Sequence, residues 1–246
     1  MNEILTKINK LSQNDDKTLY HFIAEQLTHE SKDIEFWISL AIAIVRVPFC
    51  DEEKSIAFLN KALAIDNNNA TALLILAYVY EHELGGINDM LLHRIKILHT
   101  NSDEVNSMLK YVASWSYKKH KKNDPAIEET LLKESIQLCH KHVWAYVKLA
   151  DLYMQEKRYL EVNRLLKKAL RNVKKIYSDD DNYNITDIDE FINERIKGIY
   201  LTKSNVKFIR QDILPKYIIF CYSIIIPFLN FYHFIKIKIL QSMNLE

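Results

Sequence analysis

Bulky and small apolar residues recur along the chain in a fixed order. Tyr146, Leu149, Ala150 and Tyr153 set it out: a bulky residue, two spacers, Leu beside a small residue, two spacers, an aromatic. The order returns at Trp37, Leu40, Ala41 and Ile44, at Leu73, Leu76, Ala77 and Tyr80, and in weaker form at Leu109, Val112, Ala113 and Ser116. The small residue thus falls at Ala41, Ala77, Ala113 and Ala150, separated by 36, 36 and 37 residues. Each copy is followed by a second stripe: Leu59, Ala62 and Leu63, then Leu132, Ser135 and Ile136, then Val162, Leu166, Ala169 and Leu170. Spacings of i, i+3, i+4 and i+7 line one face of a helix. The pattern predicts about four helix pairs over 34–175, in which small residues let antiparallel partners approach and large ones fill the adjacent space. A degenerate helix pair is expected in 1–33.

The stretch "KALAIDNNNATALLILAYVY" carries a resemblance. It is similar to the junction between units in the tetratricopeptide repeat (TPR) family, whose units of about 34 residues are helix–turn–helix. The resemblance implies an all-α fold, a right-handed α-solenoid of TPR-like repeats with extra helices at the C-terminal end. It also implies a concave groove, lined by the first helices of successive units, that receives a peptide or a helix of another protein. Carried over residue by residue, the groove would present Thr71, Leu74, Tyr78 and His82, then Ser107, Lys110, Ser114 and Tyr117, then Trp144, Val147, Asp151 and Met154.

The chain departs from the family in several places. Asn67 and His140 stand near junctions where proline is usual, and the turn "RVPFCD" is long. Arg94 falls near an expected core position, and Glu128 falls where a small residue is expected. The family's clamp for acidic tails needs paired Lys and Asn; Lys110 is present, but Ser114 replaces the Asn, so that clamp is not expected.

Composition sharpens the fold class. Only Gly85, Gly86 and Gly198 and four prolines occur, against abundant Leu, Ile, Lys, Glu and Ala, so the chain reads as helical. Hairpins and phosphate-binding turns of α/β folds need more glycine. With 33 basic and 32 acidic side chains the net charge is +1, which argues against a dedicated nucleic-acid binder. Cys50, Cys139 and Cys221 are odd in number and far apart, which suggests a reducing compartment rather than a disulfide framework. No apolar run of signal-peptide length opens the chain, so a cytoplasmic repeat domain is expected.

The pattern changes after the repeats. Residues 176–190 hold six acids and no base, and read as a solvated linker. "DIDEFINERIKG" reads as a helix capped by Thr186 and ending near Gly198, and another helix is expected in 204–214. Residues 217–235, within a C-terminal helical region 191–246, carry no charge over nineteen residues and are flanked by Lys216, Lys236 and Lys238. That length matches a bilayer core of about 30 Å. A membrane tether and a packed terminal helix are both compatible with it.

Candidate chemistry is sparse. "CHKH" at Cys139–His142 is the one tight Cys/His cluster, and two or three ligands at a repeat junction are a weak zinc signal. "KKHKK" at 118–122 is expected in a turn as solvated charge, or as a contact for an acidic partner or headgroup. Phosphate-binding, dinucleotide, nucleophile-elbow and metalloprotease motifs are missing. The expectation is therefore a protein without catalysis or cofactor: a scaffold or adaptor for a protein or peptide ligand. The alternatives are a regulatory or immunity-type repeat protein that senses or inhibits a partner, or a tail-anchored assembly factor at a membrane.

Overall fold

A computed structural model describes residues 2–11, 16–46, 48–82, 84–119, 124–177 and 185–202. Among the described residues up to 172, ten α-helices follow one another: α1 (Asn2–Leu11), α2 (Asp16–Glu25), α3 (Ile34–Val45), α4 (Glu52–Ile65), α5 (Ala70–His82), α6 (Asp89–Ile97), α7 (Asp103–Lys119), α8 (Pro125–Leu138), α9 (Val143–Gln155) and α10 (Tyr159–Asn172). Side chains just before the helices write their starts. Asp33 accepts from Phe36 N at 3.2 Å, Asp51 from Lys54 N at 2.9 Å, Asn69 from Ala72 N at 2.9 Å and Asn88 from Leu91 N at 2.8 Å. Asp124 accepts from Ala126 N and Ile127 N, with Pro125 in the first helical position. Each cap satisfies an amide that the helix leaves without a partner, and contributes about 1 kcal/mol.

The helices pack in sequence, α3 on α4, α5 on α6, α7 on α8 and α9 on α10, with each pair set against the next. The recurring alanines Ala41, Ala77, Ala113 and Ala150 are all buried. Where the backbones come close, hydroxyls tie the helices: Ser55 of α4 donates to Ala41 O at 2.9 Å. In α3, Phe36 through Val45 are buried without a break, and in α5 so are Ala72 through Val79. These two helices lie inside, whereas α10 buries Val162, Leu166 and Ala169 as a single stripe. The Trp37 ring stacks on Phe58 with centroids 6.0 Å apart, and its indole N–H donates to Ser31 O at 3.0 Å.

Both residues that break the repeat pattern have a local reason. Arg94 bonds the side-chain oxygen of Asn67 at 2.7 Å, tying α6 to the turn before α5 instead of entering the core. Glu128 is buried beside Lys148 of α9, whose ammonium lies 3.9 Å away, so an ion pair replaces the small residue.

The region after α10 departs from expectation. Lys175–Tyr177 forms a strand, β1, that pairs in parallel with β2, Tyr200–Thr202. A one-turn helix α11 (Ile188–Phe191) runs into a π-turn, Ile192–Ile196, and Gly198 at φ 70° turns the chain into β2. Asp187, not Thr186, caps α11, accepting from Glu190 N at 2.9 Å. Thr186 is held instead by Asn9 of α1, whose amide nitrogen is 3.0 Å from its hydroxyl. The boundary expected at 190 therefore falls inside α11, and both ends of the 176–190 stretch have regular structure. The basic run expected in a turn begins within α7, which continues to Lys119. The segments 204–214 and 217–235 lie outside the described residues. Among the described residues, no helix is long and apolar enough to cross a membrane.

Candidate functional site

The chain brings its own residues 185–202 against α3, α5, the start of α7 and the start of α9. Phe191, buried, meets Tyr78 of α5 edge-on with centroids 5.4 Å apart. The Arg46 guanidinium, just past α3, lies 5.5 Å from the same ring. Farther along, α9 takes hold of the main chain. The Trp144 indole N–H donates to Glu194 O at 3.1 Å, and its backbone N–H donates to Lys197 O at 3.0 Å. The Lys197 ammonium, itself buried, pairs with Glu104 at the start of α7. Gly198 lies so close to Trp144 that a Cβ there would come within 2.6 Å of the indole.

His142, at the residue before α9, is the hub of this contact. Its ring is fully buried, with Nε2 3.0 Å from Ile196 O and Nδ1 facing the Ser107 and Ser135 hydroxyls at 2.9 and 3.1 Å. A carbonyl can only accept, so Nε2 carries the proton and Nδ1 accepts. The hydroxyls also reach across the α7–α8 seam, Ser107 to Ser135 O at 2.7 Å and Ser135 to Ser107 O at 2.8 Å. One hydroxyl proton thus serves the imidazole and the other a carbonyl. Burial pushes the His142 pKa down to about 4 and keeps the ring neutral. The hydrogen bond from Lys197 holds the Glu104 carboxyl below its usual range.

The structure distributes the sequence-derived groove residues unevenly. Tyr78 of α5 and Trp144 of α9 both touch the 185–202 segment. His82 is exposed, its ring between Tyr78 at 4.6 Å and Trp115 at 5.2 Å. Val147 and Met154 are half-buried, and Asp151 is exposed. Leu74 and Ser114 are fully buried, and Ser114 donates to Tyr111 O of its own helix at 2.6 Å. Lys110 pairs with Glu134 of α8 at 2.7 Å. Ser107, which the resemblance places in the groove, is buried at the α7–α8 seam. The Tyr117 side chain lies outside the described residues.

Sequence reasoning missed Arg46 and Glu104, noted His142 only within a Cys/His cluster, and read 187–198 as a helix without seeing what holds it. The signal for its docking was its apolar content, since Phe191, Ile192, Ile196, Ile199 and Leu201 are all buried. Of the Cys/His cluster, Cys139 is half-buried, His140 is exposed and His142 turns inward. Among the described residues no three His, Cys, Asp or Glu side chains are grouped to hold a metal ion. A cleft of about 550 Å³ lies between α1, the starts of α3 and α5, and α11, lined by Leu5, Glu35, Thr71 and Asp189 among others. Two carboxylates on its wall, Asp33 and Asp187, are engaged as helix caps. No family model matches the chain, and no curated protein matches it.

Proposed function

We propose that the chain is a divergent TPR-like, right-handed α-solenoid that acts without catalysis as a scaffold or adaptor. In this reading it binds a peptide or helix of a partner protein along the first helices of its pairs. One observation carries the reading. This side of the molecule holds a short segment of chain by its carbonyls, through Trp144 and His142, and by one aromatic ring, through Tyr78. Main-chain hydrogen bonds with a pocketed side chain are a general way to hold peptides. His82 on α5 and Asp151 and Met154 on α9 add polar and thioether contact area on the same helices, which suits protein recognition.

Peptide display against the purified full chain tests this. Selected peptides should bind with micromolar or better affinity, and Asp151→Lys with Met154→Ala should weaken them at least tenfold while helicity is unchanged. Failure to select any peptide, or selected peptides indifferent to both substitutions, overturns the reading.

A further inference from the structure

We infer that residues 185–202 are a displaceable, built-in ligand of the first-helix face, and that a partner competes with them by presenting the same chemistry. That chemistry is an aromatic ring, accepting carbonyls at the third, fifth and sixth residues after it, and a cation at the sixth, as in Phe191, Glu194, Ile196 and Lys197. The inference rests on the scaffold reading and adds its regulation.

Three features set the segment apart from a permanent part of the core. Its regular structure is short: four residues of α11, a five-residue π-turn and a three-residue strand, none of which could persist undocked. Its polar hold is on main chain, at Glu194 O, Ile196 O and Lys197 O, beside the buried side chains of Phe191, Ile192, Ile196, Ile199 and Leu201, and a peptide of like chemistry could supply both. Its closest approach, Gly198 against Trp144, depends on a missing Cβ and a positive φ, a constraint on the segment and not on the helices beneath it. The face is built for the occupant as well. The fully buried His142 presents its one N–H to Ile196 O, and the Glu104 carboxylate meets the Lys197 ammonium. A second short segment with those groups in that order would satisfy the same donors.

Gly198→Val should release the segment, because its Cβ would lie 2.6 Å from Trp144 ring carbons at a φ of 70° that a branched side chain rarely adopts. The probe is a synthetic peptide of residues 185–202 with an N-terminal fluorophore, titrated into the full chain by anisotropy. Wild type should bind it at least tenfold more weakly than Gly198→Val, and Glu104→Lys placed in the Gly198→Val background should abolish the gain. Lys197→Glu, which adds no bulk, serves as the second releasing variant. If both variants lose the helix signal of the repeats, the segment is integral core and the inference is overturned. It is overturned equally if they keep their helices and bind the peptide no better than wild type. Display-selected peptides separate this from the scaffold reading. Equal binding of those peptides by wild type and Gly198→Val removes the competition but leaves the scaffold standing, whereas their failure to bind either removes the scaffold.

Discussion

A single proton decides how His142 can serve. Its folded pKa of about 4 lies below the ordinary value of 6.5, so the fold holds the neutral ring while the unfolded chain takes up a proton. Stability from this source is complete above pH 6.5 and is lost as pH falls toward 4, with an upper size of about 3 kcal/mol. The charged groups around it are Glu104 and Lys197, and Glu104, also depressed, weakens the fold in the same direction at still lower pH. Urea midpoints measured from pH 7.5 to 4 should therefore fall. In His142→Gln the protein should be less stable at pH 7 by about 2 kcal/mol, with the fall between pH 6.5 and 4.5 largely gone. A slope unchanged by the substitution would show that other groups carry it. None of this was legible in the sequence, because the ring's partners Ser107, Ser135 and Ile196 stand far away along the chain. The alanines were legible, since their packing is set by neighbours within the same repeat.

At the scale of elements, helix starts are the most exact link from sequence to structure. Asp51 shows how much one cap can hold. One carboxylate oxygen accepts from Lys54 N at 2.9 Å, and the other accepts from the Tyr20 hydroxyl and the Lys54 ammonium, both at 2.8 Å. Burial opposes its ionisation, but the hydrogen bonds from Lys54 and Tyr20 outweigh that and keep its pKa low. Asp51→Ala should cost about 1–2 kcal/mol in urea unfolding, and Tyr20→Phe should cost clearly less in the Ala background than in wild type. Additive losses would mean that the α2–α4 tie through Tyr20 has no energetic role. Thr186 and Asp187 mark where this kind of reading stops: both can cap, and only the distant Asn9 decides between them. The β1–β2 ladder was illegible for a related reason. Three paired residues in each strand, 25 apart in sequence, leave no period to detect.

At the scale of the whole molecule, the helix pairs over 34–175 were legible as a class, because their period repeats and no glycine or proline interrupts their helices past the first turn. What the first-helix side holds was not, since docking depends on three-dimensional neighbours. The uncharged stretch 217–235 gives a prediction at this scale. Cells expressing the full chain and a version ending at residue 215 should differ in the membrane fraction if the stretch is a tether, with helicity of the shortened protein intact. A shortened protein that aggregates or loses helix content would instead assign the stretch to packing.

The hold of Trp144 on Glu194 O also makes the molecule its own optical gauge. Of the three tryptophans, Trp37 and Trp115 are buried against the helices and only Trp144 spans the contact with 185–202. When that segment leaves, the Trp144 indole meets water and its emission moves to the red, while the other two keep their colour. Gly198→Val should show the shift and Gly198→Val with Trp144→Phe should not. The occupancy of the face can then be read in an unlabelled sample, by wavelength alone, as any competitor is added.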